Sequence, residues 1–145
     1  MGQEGIVIQY GAQREYQLVS SDLTLDKFDT GKLLVISGAV EPGVEAGALT
    51  CSLPAVSAVE KGFNVLIAVA SDHSHSIDGG ATSMRGILLQ SPPFMGVAYA
   101  DLDGASGIKV NSGINGDPRG TLIEIFCDGT LWHVRGSSTS TLVAS

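Results

Sequence analysis

The chain has 145 residues, 43% of them hydrophobic, with 19 glycines and a formal net charge of −7. That length suits one domain with a core able to fold without staples, and the apolar residues are too many and too evenly spread for disorder. Only eight residues are Lys or Arg, a balance that repels both a phosphate backbone and an anionic lipid surface, so neither nucleic acid nor membrane is an expected partner.

Residues 1–5 show no basic region followed by an apolar run, so no secretory leader is expected and synthesis is placed in the cytoplasm. Ile6, Ile8 and Tyr10 then share one face of a first strand, with Val7 and Gln9 on the other. The first twenty residues carry Gln3, Gln9, Gln13 and Gln17 and little turn punctuation. They are expected to be an outer strand or, preferably, an arm docking on another chain through Ile6, Ile8 and Tyr10. This divides the chain into 1–20 and a β-domain over 21–145.

Weaker strand patterns follow at 16–19 and 33–36. Leu49, Cys51 and Leu53 alternate with polar residues, as a half-buried strand does. Residues 54–61 read as a short helix, with Pro54 near its first position and Gly62 as its stop. Phe63, Val65, Ile67 and Val69 form the next stripe, and the intervening Leu66 and Ala68 imply a second, partly covered face. Further weak strands are expected at 87–89, 97–100, 108–110 and 139–143. Ile123, Ile125 and Cys127 share one face, Asp128-Gly129 signals a tight turn, and 131–135 returns with Trp132 and Val134 together. Short strands between dense Gly, Pro, Asn and Asp turns predict an all-β fold, a compact antiparallel β-sandwich or jelly-roll-like domain with one short helix. Ile123, Ile125, Trp132 and Val134 are its expected core. Trp132 should cap one end with its N–H bonded outward, the alternative being an exposed indole that stacks on a sugar.

Catalytic chemistry finds little support. The string Ser71-Asp72-His73-Ser74-His75 contains Ser and His, but adjacent strand residues point to opposite faces and a triad must converge. His73 and His75 are two apart, so in a strand both imidazoles could reach one axial metal in an oligomer; a solvated loop is the competing reading. Asp101-Leu102-Asp103-Gly104 reads as a turn, since a hard cation needs about six to eight oxygens and no further carboxylate follows at the required spacing. Arg119, in a glycine-rich loop with few acidic neighbours, could pair across an interface. Cys51 and Cys127 sit in apolar strand patterns and read as buried thiols.

Three segments carry a family likeness. Residues 49–69, LTCSLPAVSAVEKGFNVLIAV, place a Leu-Pro with small residues and a Gly-Phe before an apolar strand. Ser76-Ile77-Asp78-Gly79-Gly80 gives a mid-domain Ile-x-Gly turn, and residues 123–136, IEIFCDGTLWHVRG, a closing hairpin. Together, over residues 45–136, they resemble phage tail-fibre, head-fibre and capsid-decoration proteins. The resemblance implies homotrimers of compact β-domains. For a decoration protein it also implies a place on the outer capsid surface, bracing neighbouring capsomers. No repetitive shaft precedes the domain, which favours decoration over a tail fibre. The expectation is therefore a virion structural protein, a capsid decoration or cement protein. Its partners would be the major capsid protein and itself as a homotrimer, docked through exposed edges at the amino terminus and the Ser/Thr-rich carboxyl terminus. No cofactor and no enzymatic activity are expected. The alternatives are a receptor-binding tip that recognises a host surface glycan and a small jelly-roll enzyme.

Overall fold

Period-two alternation becomes a set of short strands in the computed structural model, which describes residues 14–37, 39–41, 44–45, 47–94 and 96–145. In chain order they are β1 (Glu15–Val19), β2 (Leu23–Thr24), β3 (Lys32–Ile36), β4 (Ala39–Glu41), β5 (Val44–Glu45), β6 (Thr50–Ser52) and β7 (Asn64–Val69). There follow β8 (His75–Asp78), β9 (Met84–Gln90), β10 (Ala98–Asp101), β11 (Gly107–Val110), β12 (Leu122–Cys127), β13 (Trp132–Ser138) and β14 (Leu142–Ala144). A seven-stranded sheet runs β1-β3-β7-β12-β13-β9-β10, a five-stranded sheet runs β14-β11-β8-β6-β2, and β4 and β5 pair separately. Inward side chains of both larger sheets, among them Leu34, Val65, Ile67, Ile123 and Ile125 from one and Cys51, Ile77, Ile108 and Val110 from the other, join in one apolar cluster. The domain is an all-β sandwich.

Its sheets are mixed, which corrects the expected antiparallel arrangement. Between β1 and β8 the chain alternates between layers: β1, β3 and β7 lie in the large sheet, while β2, β6 and β8 lie in the small one. Each visit to the opposite sheet acts as a crossover, so the chain re-enters its first sheet in the same direction. Hence β1 pairs parallel to β3 and β3 to β7, while β2 pairs parallel to β6 and β6 to β8. Hairpin geometry dominates only later, where β12 pairs antiparallel with both β7 and β13.

The expected helix at 54–61 is a single 3-10 turn, Val56–Ala58, with no side-chain cap at Ala55. Two turns of helix with no cap have little stability of their own, and here Leu53, Val56 and Phe63 must all turn into the core. A second 3-10 turn, Lys27–Asp29, is closed by a reciprocal capping box between Asp26 and Asp29. The proposed boundary at residue 20 does not divide the fold. Over Glu15–Val19 the first segment is the edge strand of the domain's own sheet, and Val19 lies in the core. Ile6, Ile8 and Tyr10 lie outside the described residues.

The closing hairpin forms where expected. Asp128 Oδ1 accepts from the N–H groups of Thr130 at 2.7 Å and Leu131 at 2.9 Å, and Oδ2 meets His133 Nε2 at 2.7 Å. Those bonds, that from Leu131 foremost, hold the Asp128 carboxyl down at about 2. Ile123, Ile125, Trp132 and Val134 are all buried. Trp132 is 0% exposed, and its Nε1–H meets no acceptor among the described residues, so the outward hydrogen bond expected of it is not formed. The edge of its ring packs on Phe63, with centroids 5.7 Å apart.

Candidate functional site

His75 opens β8 and is 1% exposed. Its Nδ1 accepts from the Leu49 N–H at 3.1 Å, so the ring proton sits on Nε2 and is donated to Ser71 Oγ at 2.7 Å. Both ring nitrogens are thus occupied, and the solvated-loop reading fails for this residue. His73 is half-buried before the strand, its ring centroid 6.5 Å from that of His75. With the Nδ1 lone pair committed to a backbone donor, His75 offers no ligand to the axial metal considered for the pair. No cluster of three or more His, Cys, Asp or Glu suited to a metal occurs among the described residues. The same bonding argues against nucleophilic catalysis: Nε2 already carries the proton it would have to take from Ser71.

Burial, with a smaller contribution from His73, pushes the His75 imidazole below its usual value. The unfolded chain therefore takes up a proton before the native state does. This contribution to stability is complete above about pH 6.5 and is lost as the pH falls below it. Melting temperature should drop between pH 7 and pH 5, and that slope should flatten in His75→Gln. An identical slope in the variant would remove His75 as its cause.

Other singled-out residues serve local structure. Asp101 Oδ1 accepts from the Asp103 N–H at 3.0 Å, closing a turn. Arg119, considered for a pair across an interface, is held within its own loop by Asp117 through contacts of 2.7 to 3.0 Å. Two hydroxyls near the carboxyl terminus are enclosed as well: Ser138 and Ser140 are buried, and Thr121 Oγ1 lies 2.6 Å from Ser138 Oγ. Cys51 and Cys127 are both buried thiols, and burial pushes the Cys51 thiol up to about 12.

The outer surfaces of the two sheets differ sharply. On the small sheet the outward positions of adjacent strands read Val143, Lys109, Ser76 and Thr50 in one row and Asp78, Ser52 and Thr24 in the next, a mostly polar face. On the large sheet the pairing registers align a row that crosses all seven strands. It begins Leu18, Val35, Ala68 and Leu122, then continues through Ser137 to Leu89 and Tyr99. The next row begins Tyr16, Leu33 and Leu66, reaches Glu124 and Arg135 in the middle, and ends at Ile87 and Asp101. Tyr16 is 61% exposed, Ile87 57% and Tyr99 71%. A half-open sandwich normally presents polar residues here, so this face is the feature that local folding does not explain.

At its centre Arg135 Nε donates to Glu124 Oε1 at 3.1 Å, and Arg14 Nη2 lies 3.9 Å from Glu124 Oε2. Beside this pair Phe126 stacks on the His133 ring with centroids 4.8 Å apart. Leu66, Ile87, Leu89, Tyr99, Glu124 and Arg135 are among the residues that border a shallow groove of about 550 Å³. No family model matches the chain, and no curated protein or solved structure matches it either. The face must therefore be interpreted from its own chemistry.

Sequence reasoning identified the inward stripes but named none of these outward residues as a site. A signal was present: Leu66 and Ala68 alternating with Val65, Ile67 and Val69, and Leu122 and Phe126 around Ile123 and Ile125, make strands apolar on both faces. What the sequence could not show is that seven strands bring such residues into common rows.

Proposed function

We propose that the protein is a virion structural protein, a capsid decoration protein that acts by assembling with itself as a homotrimer and with the major capsid protein on the outer shell. The observation that supports this most is the outer face of the large sheet, where one row across the seven strands is apolar at every position but Ser137, while the small sheet's outward rows are mostly Lys, Asp, Ser and Thr. Such a face suits a protein whose work is contact rather than turnover. The bonding of His75 adds support against catalysis, because the one Ser–His pair considered as a nucleophile is in the wrong protonation state and is buried. The likeness of residues 45–136 to phage fibre and decoration proteins supplies the virion setting. A glycan-binding tip is less well supported. Trp132, the ring that would stack on a sugar, is enclosed in the core, and exposed Tyr99 borders a groove whose lining is largely aliphatic.

Deletion of residues 2–13 tests the docking arm without removing β1. The truncated protein should keep its circular dichroism spectrum and melting behaviour but no longer co-sediment with shells that lack the protein. A folded truncation that binds shells normally would eliminate the arm. Retained spectra with binding lost only in Ile6, Ile8 or Tyr10 substitutions would assign the contact to those side chains. Extending the deletion through residue 18 is a different experiment, since it strips β1 from β3 and uncovers the core at Val19.

A further inference from the structure

We infer that copies of this chain pack on one another through the outer face of the seven-stranded sheet, with the Glu124–Arg135 pair at its centre shared between copies. The inference rests on the self-assembly part of the proposed function and specifies the surface. Size is the first argument. Seven strands about 4.8 Å apart, four to seven residues long at about 3.3 Å each, give a face of roughly 30 by 20 Å, about 600 Å² before side-chain relief is counted. A stable interface takes about 800 Å² from each partner, so this one face, with modest rim contacts, is large enough.

Charge is the second argument, and it selects a copy of the same chain over a differently charged partner. The whole chain carries a formal −7, so two copies repel over most of their surface. The outer face of the large sheet is different: Arg14, Arg85 and Arg135 are balanced by Glu124, Asp101 and Asp103, the last paired with Arg85 at 3.4 Å. It is the surface on which like copies can approach without opposing fields, and its central anion and cation can exchange partners between copies. Arg135 is 78% exposed at the side chain and Glu124 33%, so the guanidinium projects beyond its own carboxylate, as a group that reaches a second copy must.

The test uses the full chain, with mass measured by light scattering at tens of micromolar. Wild type should be an oligomer. Glu124→Arg and Arg135→Glu should each fall to monomer mass with melting temperatures close to wild type, because each places two like charges at the centre of every copy. Mixing the two variants in equal amounts should restore an oligomer containing both. A monomeric wild type, or native mass in both variants, would overturn the inference. Should either charge variant fail to fold, Tyr99→Glu at the rim carries the same test, with monomer mass in support and native mass against. Shell co-sedimentation reads the other part of the proposal separately. Monomeric variants that still bind shells uphold the packing face and put the shell contact elsewhere. A monomeric wild type that binds shells overturns the packing face while decoration stands.

Discussion

Replacement of Trp132 by Ala should destabilise the domain by about 3–5 kcal/mol, the range for truncating a buried large aromatic. The indole is fully enclosed, it pairs in register with Met84 and Cys127, and it meets Phe63 edge to face. Its removal leaves a hole between two sheets that are each locked by hydrogen bonds and cannot collapse into it. Urea unfolding followed by circular dichroism measures the loss, since the variant has no tryptophan left to report. Trp132→Phe should cost clearly less. It keeps a ring against Phe63 and deletes an N–H that, among the described residues, has no acceptor and so carries an uncompensated desolvation cost. Equal losses in the two variants would mean that the N–H matters more than the ring. An unchanged midpoint in Trp132→Ala would mean that the ring is not in the core.

A second large effect is expected at a residue with no side chain. Gly86 of β9 lies opposite Val134 in the parallel pair with β13 and has φ of 146°, where L residues are rarely found. A Cβ built there would be driven into the Val134 carbonyl oxygen, a backbone atom that cannot rotate away. The Gly86 carbonyl also accepts from the Leu102 N–H at 3.0 Å, tying β9 to the turn after β10. Gly86→Ala should therefore cost more than about 3 kcal/mol, combining backbone strain of 1–3 kcal/mol with displacement of a central strand pair. Gly47→Ala is the control: nothing lies within 4 Å of its Cβ position, and its φ is not in the positive range. A stability change confined to about 0.5 kcal/mol is expected there. Equal effects at the two positions would show that the close approach of β9 and β13 is not the cause.

Much of the fold was legible because alternation is a local signal. Ile123, Ile125, Trp132 and Val134 declare their common face within a dozen residues, and Asp128-Gly129 declares the turn between them. Parallel pairing was not legible. Whether β3 runs with or against β7 depends on where the intervening β6 lies, and β6 belongs to the other layer. The helix expected at 54–61 failed for a related reason: its composition permits a helix, but Leu53, Val56 and Phe63 are claimed by the core. His75 looked like a loop residue among Asp, Ser and His, and only the fold reveals that the Leu49 N–H needs its lone pair. The outer face needed both kinds of information, apolar residues on the second side of several strands and the registers that line them up.

The order of strands across the large sheet has a consequence for how the chain is made. In emergence from the ribosome, β7 and β9 are complete long before β12 and β13, yet these two late strands stand between them. Until the last third of the chain has been synthesised, β7 has its β3 side paired and its other edge open, and β9 has only β10 beside it. Open edges recruit other strands, and nascent chains crowded on one message are the nearest supply. A ribosome stalled before residue 122 would hold a half-sheet with two unpaired borders. Sticky translation intermediates, cured by the arrival of one hairpin, follow from a strand order that is invisible in the finished sandwich.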